Sequence, residues 1–184
     1  MGNQFIVLLI FSIAIVANGH GIATKTWFKK SYPAKEKVTQ LQLYVQDILT
    51  GPTPTDRQVA SAPNSLASPT FFGLVAVLDD PVRKRPSPDS EIVGRAQGLF
   101  TFASLEERSI HMTFDIVFTS GEYNGSVLNL MGRNPYPHDN RELSVVGGSG
   151  LFRLARGVVG VRTVSMNNST GDAFYECNIT VLHY

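Results

Sequence analysis

Hydrophobic and polar residues alternate along most of this chain, which is typical of β-strands that bury one face. Helical periodicity is nearly absent after the first segment. In the clearest stretch, residues 109–119, the apolar residues on one face are Ile110, Met112, Phe114, Ile116 and Phe118.

Eight alternating stretches are separated by turn residues such as Gly51-Pro52, Asp80-Pro81 and Gly147-Gly148. Many short strands of this kind must close or stack to hide their edges. We predict an all-β fold, a single eight-stranded antiparallel β-barrel whose interior is packed or holds one small ligand. The predicted strands cover roughly residues 38–50, 71–78, 93–103, 109–119, 123–131, 142–146, 151–165 and 173–183.

Two segments interrupt the pattern of strands. Pro52 to Pro69 is rich in Pro, Ser, Thr and Ala, and Arg83 to Ser90 is polar and interrupted by proline. Both are predicted to be loops, which in a compact domain are either functional lids or surface connections.

The N-terminal segment has the features of a secretion signal. Phe5 to Ala17 is a 13-residue apolar run followed by small residues, too short to span a bilayer and typical of a signal peptide. We therefore divide the chain into a signal peptide (1–22), a basic N-terminal arm (23–37) and a barrel domain (38–184). A single membrane anchor is the alternative for the leader, and weak affinity for acidic wall polymers is the alternative to a solvated arm.

Glycosylation sequons also favour secretion and localisation outside the cell. Each fits the pattern N-x-[ST]: Asn124, Asn167, Asn168 and Asn178. Alternation places Asn178 on the outward face of its strand, opposite Tyr175 and Cys177. The one cysteine, Cys177, leaves the domain without an internal disulfide.

Familiar cofactor and metal motifs are missing. Gly148-Ser149-Gly150 begins like a dinucleotide fingerprint, but Arg153 stands at the third glycine position and a strand follows. The four histidines lie in different segments, so no zinc site is predicted. A net charge of +1 gives no electrostatic reason to expect a nucleic-acid partner. We expect no cofactor and no metal.

Four residues are candidates for a functional site inside the barrel. Asp47 shares a strand face with Leu43 and Val45, where burial would raise its pKa and make it a proton donor or acceptor; capping a turn is the alternative. Phe100 and Phe102 share a face, which suits a packed core or an aromatic-binding wall. Arg141 precedes an apolar strand, where it would steady a developing oxyanion or lie in solvent.

Six short motifs follow one another in order between about Val38 and the C-terminus: Asp79-Asp80-Pro81, Gly94-Arg-Ala-Gln-Gly98, Glu122-Tyr-Asn-Gly-Ser126, Gly132-Arg-Asn-Pro135, Arg141-Glu-Leu-Ser-Val-Val-Gly-Gly-Ser-Gly150 and Phe152-Arg-Leu-Ala-Arg-Gly157. This ordered set resembles the plant dirigent family. The resemblance implies an eight-stranded barrel like those of allene oxide cyclase and lipocalins with a central ligand cavity, secretion to the apoplast and cell wall, and homo-oligomers (dimer or trimer).

The resemblance also implies a chemistry that needs no redox cofactor. In this family a separate oxidase or laccase makes phenoxy radicals, and the dirigent protein orients them so that coupling is stereoselective. Some relatives instead dehydrate an isoflavanol through a quinone methide. A phenol-binding barrel without catalysis is a third possibility.

Site residues follow from the resemblance by position. Asp47 matches a family acid and Arg141 the family arginine, while Asn134 stands where lignan-forming members carry a second acid. The amide cannot deliver a proton, which two-acid closure of a bis-quinone methide requires. The Gly-Arg-Asn-Pro motif looks more like the branch that includes pterocarpan-forming and terpenoid-phenol-coupling members. The early cysteine that pairs with a C-terminal one in lignan-forming relatives is absent. The expected substrate-binding residues are Phe72, Phe100, Phe102 and Asp80.

Overall fold

A computed structural model describes residues 35–184 of the chain. The predicted signal peptide (1–22) and residues 23–34 of the predicted arm lie outside the described residues. Within 35–184, no helix is long and apolar enough to cross a bilayer. The described chain forms strands β1 (Lys37–Asp47), β2 (Asp56–Ser61), β3 (Leu74–Arg83), β4 (Ile92–Phe102), β5 (Ile110–Phe118), β6 (Val127–Asn134), β7 (Arg141–Ser149), β8 (Arg156–Met166) and β9 (Ala173–His183), with short 3₁₀ turns at Ser65–Ala67 and Gly150–Phe152.

Eight of these strands form a closed antiparallel barrel. From β3 to β9, each strand pairs with the next one along the chain, and β9 pairs with β1 over its full length. The ring closes where Tyr44 and Val45 of β1 lie opposite Arg83 and Val82 of β3. Closure removes the exposed sheet edges that an open sheet of this size would carry. The predicted eight-stranded antiparallel barrel is therefore confirmed.

The remaining strand, β2, corrects the prediction of a continuous loop from Pro52 to Pro69. Asp56 to Ser61 pairs with the first half of β3, with Asp56 opposite Leu78. Five of the six residues of β2 are exposed, so its hydrophobic pattern does not alternate. Backbone pairing along a free stretch of β3, rather than burial, makes this segment a strand.

The predicted turn at Asp80-Pro81 is wrong, because both residues lie inside β3. The proline falls between the part of β3 that pairs with β2 and the part that pairs with β1. Asp79 donates its backbone N–H to Thr55 O, and the nitrogen two residues later points the same way, toward this gap. The missing N–H of Pro81 therefore breaks no ladder hydrogen bond, which is the condition for proline within a sheet.

Aromatic packing closes one end of the barrel. Phe152 is fully buried, and its ring lies 5.1 Å from Tyr123 and 5.6 Å from Phe118. His183 is held there by Thr39 Oγ1 at 2.8 Å and Leu151 O at 2.9 Å. The predicted start of the seventh stretch at 151 is wrong for this reason: residues 150–152 form a 3₁₀ turn that buries Phe152, and β8 begins at Arg156.

Candidate functional site

A largely apolar cavity of about 330 Å³ opens at the other end of the barrel. It lies where β1, β4 and β6 end and where β5 and β9 begin, so its wall carries the terminal residues of several strands. Its volume is at the lower end of the range for small-molecule sites. The barrel interior therefore has room for one ligand of moderate size.

Three carboxyl groups meet on one side of this cavity. Asp47 ends β1, Asp56 begins β2 and Asp80 lies in β3, and all three line the cavity. One carboxylate oxygen from each lies within 4.8 Å of the others. Asp80 is only 5% exposed, and Oδ1 of Asp47 and Oδ1 of Asp56 are buried without a hydrogen bond from the described residues.

A short connection brings the first two acids together. Thr55 N donates to Ile48 O at 2.7 Å, and Ile48 N donates to Thr55 Oγ1 at 3.1 Å. This pairing closes the loop between β1 and β2 so that Asp56 follows directly beside Asp47. The Thr55 hydroxyl also donates to Oδ1 of Asp80, which ties the third acid to the same loop.

Burial makes the three acids hold their protons far above the usual pH range. Desolvation is the main cause for each of them, and it raises the pKa of Asp47 to about 7, that of Asp56 to about 6 and that of Asp80 to about 8. Repulsion from Asp56 raises the pKa of Asp47 and of Asp80 further. Near neutral pH the cluster therefore contains both a protonated and an ionised carboxyl, as general acid–base chemistry requires.

Oxygen ligands in such a cluster are also the kind that hard cations prefer. Asp47, Asp56 and Asp80 form the candidate metal-ligating group among residues 35–184. Three carboxylates that each offer one oxygen supply fewer ligands than the six to eight that Ca²⁺ takes, and the apolar surroundings raise the pKa values of the acids. We therefore interpret the cluster as a proton-holding site.

Aromatic rings surround the mouth of the cavity. Phe100 and Phe102 of β4 line it, and their ring centres lie 6.0 Å apart. Phe102 also makes edge contacts with Phe71 at 5.5 Å and with Tyr136 at 6.1 Å. The predicted aromatic-binding wall at Phe100 and Phe102 thus faces the cavity, in a geometry suited to a flat aromatic ligand.

The structure places Phe72 away from this wall. Its side chain is 41% exposed and it is not among the cavity-lining residues. Phe71 instead turns its ring onto Phe102, from a backbone with φ of +56°. The two phenylalanines point apart because they are neighbours in an irregular segment before β3, where strand alternation gives no reliable direction.

Asn134 lines the cavity from the end of β6. Its side chain is 7% exposed, and Nδ2 donates to the Met112 sulfur at 3.2 Å. Oδ1 is buried and receives no hydrogen bond from the described residues. The residue that replaces the second family acid is therefore inside the barrel.

Arg141 is buried but does not line the cavity. Its guanidinium donates to Tyr136 O at 3.2 Å and to Thr163 Oγ1 at 3.0 Å, while Nε approaches Val161 O at 3.4 Å. It also lies 5.4 Å from the centre of the Tyr175 ring. The arginine thus ties β8 and the segment after β6 to the ring of Tyr175, and Tyr175 is the member of this pair that lines the cavity.

Two cavity residues that the sequence analysis missed are Asp56 and Tyr175. Asp56 follows a segment without hydrophobic alternation, so no signal marked it. Tyr175 lies on the apolar face of β9, and that face could have indicated it. Its proximity to the ionisable Asp47 and its burial raise the pKa of the Tyr175 hydroxyl, so it stays a neutral hydrogen-bond donor.

The single cysteine and the sequon asparagines remain to be placed, and only the cysteine lines the cavity. Cys177 lines the cavity as a free thiol, and burial raises its pKa to about 12, so it does not ionise. The sequon asparagines lie on the surface, Asn178 on the outward face of β9 as alternation predicts; the exposed set is Asn124, Asn167, Asn168 and Asn178.

Comparisons with known proteins agree with this fold. The profile of the Dirigent-like protein family matches residues 38–182. Dirigent protein 23 of Arabidopsis thaliana is 37% identical over 98% of this chain and 96% of the relative, and pterocarpan synthase 1 of Glycyrrhiza echinata is 38% identical over 89% and 90%. The predicted family resemblance is confirmed at the level of the whole domain.

Solved structures give the same assignment. The pterocarpan synthase dirigent protein GePTS1 is 41% identical, with a TM-score of 0.74 over 81% of this chain and 89% of that one. The pterocarpan synthase dirigent protein PsPTS1 is 42% identical, with a TM-score of 0.75 over 80% and 96%. The chain belongs to the dirigent protein family.

Proposed function

We propose that this protein binds an aromatic alcohol in its barrel and catalyses its dehydration through a quinone methide. This is the reaction that the resemblance to pterocarpan-forming relatives implies. The observation that carries this proposal is the cluster of Asp47, Asp56 and Asp80, whose carboxyl groups lie within 4.8 Å of one another beside an apolar cavity. Acids of raised pKa in such a place are suited to proton transfer near neutral pH.

The proton transfers follow from the order of the pKa values. Asp80, with a pKa of about 8, protonates the departing benzylic hydroxyl, the C–O bond breaks and water leaves. Ionised Asp47 accepts the proton of the conjugated phenol, whose electrons form the quinone methide. An internal hydroxyl of the substrate then adds to the methide carbon and gives its proton to ionised Asp80, while protonated Asp47 returns a proton to the methide oxygen. The net change is the loss of one water.

Two further observations support dehydration. The solved relatives at 41% and 42% identity are pterocarpan synthases. In addition, Asn134 replaces the second acid that the family resemblance associates with two-acid closure of bis-quinone methides, whereas all three acids here lie together on β1 to β3.

The test is incubation with cis- and trans-hydroxyisoflavanols in the absence of an oxidant. We expect loss of water and a cyclic product, reduced at least about a hundredfold in Asp47→Asn and Asp80→Asn. Asp79→Asn is the matched control, because Asp79 faces outward and pairs with Arg95. Unchanged substrate with the wild-type protein would reject the proposal.

Stereoselective coupling of phenoxy radicals is the second candidate, favoured by the ring-lined mouth at Phe100, Phe102 and Tyr136. Positioning of planar rings is what that reaction needs from a protein. A chiral assay with coniferyl alcohol, with and without laccase, separates the two: enantiomeric excess that depends on the oxidase supports coupling, and racemic product counts against it. A barrel that only binds phenols would retain its ligand affinity in Asp47→Asn and show neither reaction.

We also infer secretion, N-glycosylation and self-association as a dimer or trimer. The apolar run from Phe5 to Ala17 and the exposed sequon at Asn178 support the first two. A fluorescent fusion that is retained inside plant cells, or an unmodified set of sequons by mass spectrometry, would contradict them. Light scattering of the purified protein tests the oligomer.

A further inference from the structure

Asn134 lies across the barrel from the acid cluster. Counting strands from β1 in either direction, β6 is the fourth, so the end of β6 faces the end of β1 over the full width of the cavity. Asn134 is the last residue of β6 and Asp47 the last residue of β1. The cavity therefore has polar groups at both ends of one diameter.

The wall between these two polar ends is apolar. Phe100, Phe114 and Leu143 are among the side chains that line it. An aromatic body fits such a wall, and its polar substituents are favoured only at the two ends. The arrangement selects ligands that carry oxygen at both ends of an aromatic framework.

The amide of Asn134 has unused hydrogen-bonding capacity. Oδ1 is buried and no described residue donates to it, while Nδ2 reaches only the sulfur of Met112 at 3.2 Å. A thioether is a weak acceptor, so little holds the amide in its present rotamer. Nδ2 is the atom placed next to the sulfur, because the reverse orientation would set two acceptors against each other.

A buried carbonyl oxygen without a donor is unfavourable, and most such atoms in proteins have a partner. A ligand hydroxyl that donates to Oδ1 would remove this penalty, whereas a methyl ether has no hydrogen to donate. The acid cluster differs in this respect, because a protonated carboxyl donates to an ether as well as to a hydroxyl. The two ends of the cavity thus make different demands on a ligand.

We propose that Asn134 is the hydroxyl-recognising end of the cavity: its Oδ1 accepts a hydrogen bond from a free phenolic hydroxyl on the end of the ligand remote from the acid cluster. The preferred substrates are accordingly aromatic compounds with at least one unmethylated phenol. This inference rests on the proposed function only in that a phenol occupies the cavity, not in the reaction that follows.

Calorimetric binding of three isoflavones to the full-chain protein tests the proposal: 7,4′-dihydroxyisoflavone, its 4′-methyl ether and its 7,4′-dimethyl ether. The dihydroxy compound can place a free hydroxyl at Asn134 in either orientation, the monomethyl ether can do so in one orientation, and the dimethyl ether cannot do so in any. We expect the dimethyl ether to bind about tenfold more weakly than the monomethyl ether, which corresponds to 1.4 kcal/mol.

Variants assign this preference to the amide. Asn134→Leu should bring the ratio of the two affinities to about one, while Asn134→Asp, which keeps an acceptor oxygen, should retain the preference. Met112→Leu is the matched control, because it removes the sulfur contact and leaves the Asn134 amide in place; it should retain the ratio. Thermal melting of each variant shows whether Asn134→Leu is folded, and Asn134→Asp carries the test if it is not.

Equal affinity of the wild-type protein for the two ethers overturns the proposal. So does a tenfold ratio that survives in Asn134→Leu, or a failure of all three isoflavones to bind. If hydroxyisoflavanols are not dehydrated but the binding preference is present and depends on Asn134, only the proposed reaction is rejected and the recognition of the hydroxyl is supported.

Discussion

The guanidinium of Arg141 lies 5.4 Å from the centre of the Tyr175 ring, and of these two residues Tyr175 is the one that lines the cavity. The arginine's hydrogen bonds go to Tyr136 O, Val161 O and Thr163 Oγ1. Arg141 therefore acts on the site through the residues that it holds, one at the aromatic mouth and one beside Asp47. It is a positioning residue in this structure.

Separate substitutions of Arg141 and Tyr175 should have different effects. Tyr175→Phe keeps the ring and its contact with the arginine, so we expect the free energy of unfolding to change by less than about 1 kcal/mol. Loss of the hydroxyl beside Asp47 should lower turnover about tenfold. Arg141→Lys loses the planar fork and leaves buried carbonyls without donors, which should lower the free energy of unfolding by about 1–3 kcal/mol.

Urea unfolding and steady-state kinetics measure these two effects. A stable Arg141→Lys variant without activity would mean that the guanidinium contacts the ligand directly. A fully active Tyr175→Phe variant would remove the tyrosine hydroxyl from the chemistry.

Stability should fall as the pH rises through the range in which the acid cluster titrates. Burial raises the pKa of Asp80 from 3.8 to about 8, so between these values the folded state binds more protons than the unfolded state. The free energy of unfolding then decreases with pH. We expect the melting temperature to be highest near pH 4, as far as this group contributes, and to fall toward pH 8.

Asp80→Asn should flatten that dependence, because the amide does not ionise. The control is Asp89→Asn, at an exposed position of the loop between β3 and β4, which should keep the wild-type slope. Melting curves recorded from pH 4 to pH 8 decide the matter, and an unchanged slope in Asp80→Asn would contradict the assignment.

Asp56 should tune the other two acids without being essential for proton transfer. Its charge raises the pKa of both Asp47 and Asp80, so Asp56→Asn should lower both. The pH profile of turnover is then displaced to lower pH, by about one pH unit or less. The outward-facing control Asp79→Asn should keep the wild-type position of the pH profile. A profile that also keeps its position in Asp56→Asn would contradict this role.

Removal of an aromatic ring should weaken ligand binding at Phe102 and not at Phe72. Phe102 contacts Phe71, Phe100 and Tyr136 at the mouth, and we expect Phe102→Ala to weaken binding of an isoflavone at least about tenfold. Phe72→Ala is the control, since Phe72 is exposed and lies off the wall. Equal losses in calorimetric titrations of the two variants would contradict the placement of the wall.

Gly98 should tolerate no side chain. A β-carbon there would lie 2.4 Å from Thr113 O and 2.5 Å from Phe114 Cα, distances at which backbone must move. We expect Gly98→Ala to lower the free energy of unfolding by about 3 kcal/mol or more. At Gly160 the nearest atom would be 3.9 Å away, so Gly160→Ala should leave stability unchanged or raise it by up to about 1 kcal/mol. Denaturant titrations of Gly98→Ala and Gly160→Ala measure the free energy of unfolding of each variant.

The sequence by itself determined the barrel and much of its inner face. Alternation on β1 and β4 put Asp47, Phe100 and Phe102 on strand faces shared with apolar or small residues, because side chains of a strand point to opposite faces in turn and the apolar face of a closed sheet is the buried one. The family motifs selected the same barrel and its cavity. These are local properties of the chain, so they can be read without coordinates.

Tertiary structure alone decided how the site is assembled. The exposed strand β2 has no hydrophobic pattern, and only its pairing with β3 brings Asp56 to Asp47 and Asp80. The direction of the Arg141 guanidinium follows from the carbonyls of β8 and of the segment after β6 to which it donates. Proton affinity and side-chain orientation depend on residues distant in sequence that share a dry interior, and a one-dimensional pattern does not contain those distances.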